Sequence, residues 1–261
     1  MDLLQGGMDF GILKKEFRQA IYKEAQPMQE NMTLQVIAHV ENDYTGKFGI
    51  PRQSGMVGAV SEIVFMPEYR DANALRGIEG YTHLWLIWGF HKFHDTKWSP
   101  MVKPPRLGGN KRMGVFATRS PNRPNKLGLS SVELVGVEQR PGKGTVLLVR
   151  GADMMHGTPV YDIKPYVAFV DSHPEASNGW ADEKKDYRLE VEIPQELLEQ
   201  IPEAKREAVQ EILALDPRPA YQQDPTAPYG VSYGGQDIRF RVVDGCVHVF
   251  EIAQEDATHL K

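Results

Sequence analysis

The chain has 261 residues, 30 Lys and Arg against 35 Asp and Glu, a net charge of −5, and one cysteine, Cys246. That length supports a sizeable core in one or two domains, and the single cysteine excludes an intrachain disulfide and a cysteine-based zinc site. The acidic balance excludes a protein that coats nucleic acid with its whole surface, but not one with a basic docking face.

Residues 1–31 read as an extension. A helical pattern over 12–24 carries Ile12, Phe17, Ala20, Ile21 and Tyr22 among charges, and Pro27 stops it. From Thr33 the signal turns to strands: Leu34, Val36, Ala38 and Val40 alternate with Gln35, Ile37 and His39. Further strands are expected over Gly58–Phe65, Met113–Thr118, Val132–Val137, Val146–Val149 and Val160–Ile163. Leu84–Phe90 is continuously apolar and aromatic, which predicts a strand buried on both faces. Arg140-Pro141-Gly142-Lys143-Gly144 supplies hairpin chemistry. Six or seven strands with little helix predict a mainly β fold, a small closed barrel over 32–172.

The composition then changes. Residues 172–185 are polar. Ala204, Ala208, Val209, Ile212 and Leu213 share one face of a helix predicted over Glu203–Leu215, with Pro202 at its entrance and Pro217 beyond its end. Asp244-Gly245 marks a hairpin between strands Ile238–Val243 and Val247–Ile252. Residues 173–261 therefore read as a smaller α+β domain. No apolar run reaches the roughly 20 residues of a membrane span, and no secretory signal pattern opens the chain. A cytoplasmic protein without a membrane partner is expected.

Chemistry concentrates between Asp95 and Glu133. Those 37 residues hold no carboxylate and eight basic side chains: Lys97, Lys103, Arg106, Lys111, Arg112, Arg119, Arg123 and Lys126. Within them runs Thr118-Arg119-Ser120-Pro121-Asn122-Arg123-Pro124-Asn125-Lys126-Leu127-Gly128. Its prolines fix φ, its Asn side chains close turns, and its Arg side chains offer planar forks for phosphate or carboxylate. An anion or nucleic-acid site explains this better than a solvated loop.

Other motifs are weaker. No G-x-G-x-x-G follows a strand, and no P-loop or nucleophile-elbow pattern occurs, so any nucleotide cofactor is held in another way. His91 and His94 have metal-ligand spacing only if helical, with no partner Cys and no H-E-x-x-H, so no metal is expected. Pro51-Arg52-Gln53 suits polar recognition. Asp162 and Lys164 share a strand face, where a structural ion pair is as good a reading as a binding role. Asp216-Pro217-Arg218-Pro219-Ala220-Tyr221 is a rigid element; a helix-ending turn explains its prolines but not its Arg and Tyr.

Taken together, these runs resemble the TrmO (TsaA-like, YaeB) family. The matching residues are Pro51-Arg52-Gln53, Arg76-Gly77-Ile78-Glu79, His83-Leu84-Trp85, Pro105 to Asn110, Met113 to Ser120 with Arg123-Pro124-Asn125 and Gly128, Asp162 to Tyr166, and Asp216 to Tyr221. They occur in order between Leu34 and about Phe250, with the first 30 residues outside. Lys126-Leu127 departs from relatives, which often carry a less charged residue and an Ile there.

The resemblance implies a homodimeric, S-adenosylmethionine-dependent tRNA methyltransferase acting on N6 of threonylcarbamoyl-adenosine, 3′ of the anticodon in threonine tRNA. It implies a β-barrel unlike the Rossmann methyltransferases, followed by a C-terminal domain. Cofactor contacts carried over are Pro51, Arg52, Gln53, His91, Lys92, Arg119, Leu129, Tyr161, Asp162, Ile163 and Lys164. Asp216 and Tyr221 are candidates for catalytic contacts around the target base. Lys103, Arg106, Lys111, Arg112, Arg123 and Arg218 are candidates for RNA phosphates; no DNA partner is expected. The rival from another class is a non-catalytic RNA- or nucleotide-binding barrel, which explains the basic loop equally well but needs no cofactor pocket.

Overall fold

The computed structural model describes residues 31–46, 48–93, 97–104, 111–184, 186–219 and 224–255. The helical pattern over 12–24, the extension up to residue 30, and the site candidates Arg106 and Tyr221 lie outside the described residues. From Val36 on, the described residues form one compact unit, which carries everything below.

Six strands form one antiparallel sheet: β1 (Ala38–Glu41), β2 (Val60–Phe65), β3 (His83–Gly89), β6 (Leu127–Arg140), β7 (Gly144–Arg150) and β8 (Pro159–Pro165). Between β3 and β6 lie two short strands paired with each other, β4 (Met101–Val102) and β5 (Met113–Gly114). The order in the large sheet is β1-β2-β7-β6-β3-β8, and β8 pairs again with β1 through Ala38 and His39. Side chains alternate between faces along a strand. Leu84, Leu86 and Trp88 therefore meet Ala38, Val40, Ile63, Phe65, Val132, Leu147, Val149 and Val160 in one buried cluster.

Three strand expectations need correction. The first begins at Ala38 rather than near Leu34, because the ladder with β2 starts at Ala38↔Phe65. Met113–Thr118 is a strand only to Gly114. A 3-10 turn over Val115–Ala117 follows, closed by the Thr118 hydroxyl donating to the Val115 carbonyl at 2.9 Å. Leu84–Phe90 is not buried evenly: Trp85 and Ile87 are half-buried on the outer face. Trp85 is covered by the Tyr166 ring at 5.5 Å and donates Nε1 to Asp171 at 3.1 Å. Asp171 ends the short helix α1 (Ala168–Asp171).

The C-terminal part contains β9 (Glu190–Glu192), α2 (Gln195–Leu198), α3 (Glu203–Ala214), β10 (Tyr229–Tyr233), β11 (Gln236–Val243) and β12 (Cys246–Gln254). Its sheet runs β10-β11-β12-β9, with the last pair parallel. The short β9 and β10 gave no clear sequence signal. Helix α3 starts behind Pro202 and buries Ala208, Val209, Ile212 and Leu213, as its apolar spacing requires. The turn between β11 and β12 has positive φ at Asp244 and Gly245, which suits a hairpin of right-handed strands.

The second core is shared. Tyr44, Val57 and Ala59, which precede β2, pack with α3 and the C-terminal strands. The Gly58 N–H donates to Glu211 at 2.7 Å, and Lys205 pairs with Asp43 at 2.8 Å. The segment carrying Pro51-Arg52-Gln53 is thus tied to the C-terminal part as well as to the large sheet. Among the described residues, no helix is long and apolar enough to cross a membrane.

Candidate active site

A cavity of about 530 Å³ lies where β3 runs into His91-Lys92 and β6 emerges from the Pro- and Asn-rich run. It has the volume of a small-molecule site. Trp88, Phe90, Leu127 and Leu129 supply apolar wall, and the Ile50–Gln53 loop, Arg119 and Asp153 supply polar groups. Two glycines permit this shape. In the β3–β6 ladder Trp88 faces Gly128, where any Cβ would overlap the indole ring. At Gly89 a Cβ would meet the Tyr161 hydroxyl at 2.7 Å.

Of the cofactor candidates, Pro51, Arg52, Gln53, His91, Lys92, Arg119 and Leu129 all line the cavity. Residues 50–53, 91–92 and 119–129 are far apart in sequence, so the fold brings them together. Arg119 donates Nη1 to Gln53 Oε1. The His91 Nδ1 lies 3.4 Å from the Thr158 hydroxyl. Tyr161, Asp162, Ile163 and Lys164 are not among the lining residues. Tyr161 stands behind the wall at Gly89. Lys164 pairs with Asp162 at 2.9 Å, both well exposed, and Ile163 packs on the sheet core.

Asp153 lies on the cavity wall at the end of a buried chain. Trp88 Nε1 donates to Ser130 Oγ at 2.9 Å, and Ser130 Oγ donates to Asp153 Oδ1 at 2.5 Å. The residue is half-buried and lines the cavity. Burial raises its pKa above the ordinary value, and the Ser130 hydrogen bond and the Arg119 charge only partly offset this. No sequence motif singled out Asp153 for a role. Ser130 and Trp88 gave no signal, since only the β3–β6 register aligns them.

Asp216 does not line the cavity, but it touches a residue that does. It follows α3 with φ of 54°. Its carboxylate accepts Arg218 Nε at 2.7 Å and Nη2 at 3.0 Å, and the Tyr187 hydroxyl at 3.0 Å. Burial alone would raise its pKa; the Arg218 and Tyr187 contacts outweigh that and hold it below the ordinary carboxylate value. Its carbonyl accepts Arg52 Nη2 at 2.7 Å.

The RNA candidates divide by environment. Lys103, Lys111 and Arg112 are exposed. Arg123 lines the cavity and donates Nε to the Ser120 carbonyl at 2.8 Å and Nη2 to the Val115 and Thr118 carbonyls, so it folds its own loop. Arg218 is engaged with Asp216 and lies over the Tyr229 ring at 5.7 Å. Away from the cavity, Glu192, Cys246 and His248 bring one potential ligand atom each within 4.8 Å of one another, on β9 and β12. This mixed cluster is a different arrangement from the His91/His94 spacing weighed in the sequence.

Known proteins resemble this chain in sequence and in overall fold. The family model described as the tRNA-methyltransferase O N-terminal domain matches residues 39–172, and that described as the TrmO C-terminal domain matches 186–255. The tRNA (adenine(37)-N6)-methyltransferase of Escherichia coli (strain K12) is 40% identical over 226 residues, spanning 83% of this chain and 95% of the relative. Its counterpart from Eikenella corrodens is 43% identical over 166 residues, 63% of this chain and 93% of the relative. A crystal structure of TrmO from Pseudomonas aeruginosa superimposes with a TM-score of 0.68 at 30% identity, over 85% of this chain and 99% of that one.

Proposed function

Because this chain belongs to the tRNA-methyltransferase O family, we propose that it transfers a methyl group from S-adenosylmethionine to N6 of adenine 37 of tRNA. The finer reading of its substrate is threonylcarbamoyl-adenosine in threonine tRNA. The observation that carries the cofactor assignment is that the Arg119 guanidinium and the Asp153 carboxyl line one apolar-walled cavity.

That donor set fits the cofactor. Its methionyl end carries a carboxylate and an ammonium, which Arg119 and Asp153 would hold by charge-assisted hydrogen bonds. Its adenosine end needs an apolar slot with a few polar contacts, which Leu127, Leu129 and Phe90 offer beside the 50–53 loop. When bound, the cofactor supplies an electrophilic methyl group on a sulfonium. The protein's task is then to align donor and acceptor and to exclude water. Gln53 orients Arg119, and the Trp88–Ser130 chain orients Asp153.

N6 of the substrate carries a carbonyl substituent, so its lone pair is delocalised and its proton must leave as the N–C bond forms. Asp216 supports this reaction by fixing Arg52: its carboxylate is already held by Arg218 and Tyr187, which makes it a weak proton acceptor. The substrate's own carboxylate takes the N6 proton. Exposed Lys103, Lys111 and Arg112 hold phosphates of the anticodon arm.

We also read the β1–β8 pairing as closing a barrel, with domains at 32–172 and 173–261. The active form is a cytoplasmic homodimer, for which exposed Phe169 and Val170 on α1 offer an apolar contact. Titration calorimetry with S-adenosylmethionine tests the enzyme against a non-catalytic RNA-binding barrel. Absence of binding up to millimolar cofactor sinks the enzyme reading. Mass analysis of threonine tRNA from cells lacking the protein tests the substrate: a methyl group that persists on the modified adenosine overturns it.

A further inference from the structure

The most exposed aromatic pair near the cavity is not used by any step above. Phe116 is 77% exposed and Trp98 49%, and their rings stack with centroids 6.4 Å apart and planes 26° apart. The pairing of β4 with β5, Met101↔Gly114 and Val102↔Met113, holds the two chain segments side by side. Val115 is buried beneath the turn and donates its N–H to the Pro100 carbonyl at 2.9 Å. Trp180 Nε1 secures the Ala117 carbonyl at 3.1 Å. The pair is therefore rigidly mounted, with its root in the protein and its rings toward solvent.

Two observations identify what would cover it. The first is charge. Phe116 and Trp98 lie within the 37 residues that contain no carboxylate, beside exposed Lys97, Lys103, Lys111 and Arg112. Aromatic faces set among cations fit a single-stranded polyanion whose bases have π-faces. A second copy meeting this face about a two-fold axis would instead set like charge against like. The second is continuity. Arg123 holds the carbonyls of Val115 and Thr118 and also lines the cavity, as does Arg119 three residues beyond Phe116. The rings are thus fastened to the cavity rim.

We propose that Trp98 and Phe116 form a stacking platform for an unpaired base of the tRNA anticodon loop, with Lys97, Lys103, Lys111 and Arg112 holding the adjoining phosphates. This rests on the tRNA reading of the site. Stacking one loop base outside the cavity would keep its neighbour unstacked and free to enter.

The test uses the full chain and an RNA hairpin with the anticodon stem-loop sequence of threonine tRNA. Phe116→Leu keeps apolar bulk but removes the ring. Phe116→Leu and Phe116→Ala should each weaken hairpin binding by roughly 5- to 150-fold, the range for loss of one stacked base. Both should leave S-adenosylmethionine affinity and the salt slope unchanged, whereas Lys111→Gln should reduce the slope by about 1. Hairpin binding should quench tryptophan emission in the wild type, and less in Trp98→Phe. Unchanged hairpin affinity in both Phe116 variants, with tRNA still methylated, overturns the platform alone. Conversion of a dimer to monomer by Phe116→Ala, with Phe116→Leu behaving as wild type, also overturns it and makes the face an interface between copies. A wild-type protein that neither binds the hairpin nor methylates tRNA overturns the proposed function as well.

Discussion

Arg52 donates Nη2 to the backbone carbonyl of Asp216 at 2.7 Å, across 164 residues of sequence. The carbonyl points there because Asp216 leaves α3 in the left-handed region, which disfavours most L residues by roughly 1–2 kcal/mol and Asp by less. Arg218 and Tyr187 hold that conformation through the side chain. A helix end in the C-terminal part thereby fixes a cation on the cavity wall.

Replacing Asp216 by Asn should weaken cofactor binding although Asp216 does not line the cavity, because the carboxylate contacts to Arg218 and Tyr187 that hold the residue-216 carbonyl toward Arg52 are weakened. It should also lower stability at neutral pH by leaving Arg218 unpaired. The folded pKa of Asp216 lies below its unfolded value of about 3.9. Its stabilisation is therefore full above that value and lost as pH falls through the folded pKa. Thermal melts of both proteins should differ at pH 7 and converge in acid; a constant difference across that range counts against the assignment.

Arg119→Ala should reduce S-adenosylmethionine affinity by about 10- to 150-fold, the equivalent of a charged hydrogen bond of about 1.5–3 kcal/mol. The loss should be much smaller for 5′-methylthioadenosine, which lacks the carboxylate. Calorimetry with both ligands separates these cases, and equal losses would place the carboxylate elsewhere.

Asp153→Asn should act in opposite directions on stability and on binding. The folded pKa of Asp153 is raised, so its ionised form opposes folding above that pKa and has no effect below the unfolded value. Asn keeps an acceptor for Ser130 without the charge. The ligand-free variant should melt higher than wild type at neutral pH and equally in strong acid, yet bind the cofactor's ammonium more weakly. A variant that melts lower at neutral pH would refute this account of the carboxylate.

Gly128→Ala should disturb the cavity through packing alone. The added methyl overlaps the Trp88 ring, which must move and release Ser130. A cost of about 1–3 kcal/mol is expected, together with weaker cofactor binding and altered tryptophan fluorescence. Unchanged melting and emission would mean that the β3–β6 register tolerates a side chain here.

Much of this architecture is legible from local pattern. The alternation in β2, the apolar spacing of α3 and the Asp244-Gly245 turn each report a periodicity of 2 or 3.6 residues or a φ preference, and these are written in consecutive residues. The basic, carboxylate-free run and the Pro51-Arg52-Gln53 loop were visible as chemistry for the same reason. What no window of sequence contains is which distant residues share a wall. The aromatic richness of β3 concealed a half-buried outer face, because Tyr166 and Asp171 cover Trp85 from another element. Asp153 acquired a partner only when strand register aligned Trp88 and Ser130, and Asp216 became a support for Arg52 only when α3 packed against the segment before β2. Side-chain type and spacing determine which chemistry is available; long-range pairing and packing determine where the charges meet, since those contacts depend on segments far apart in the chain.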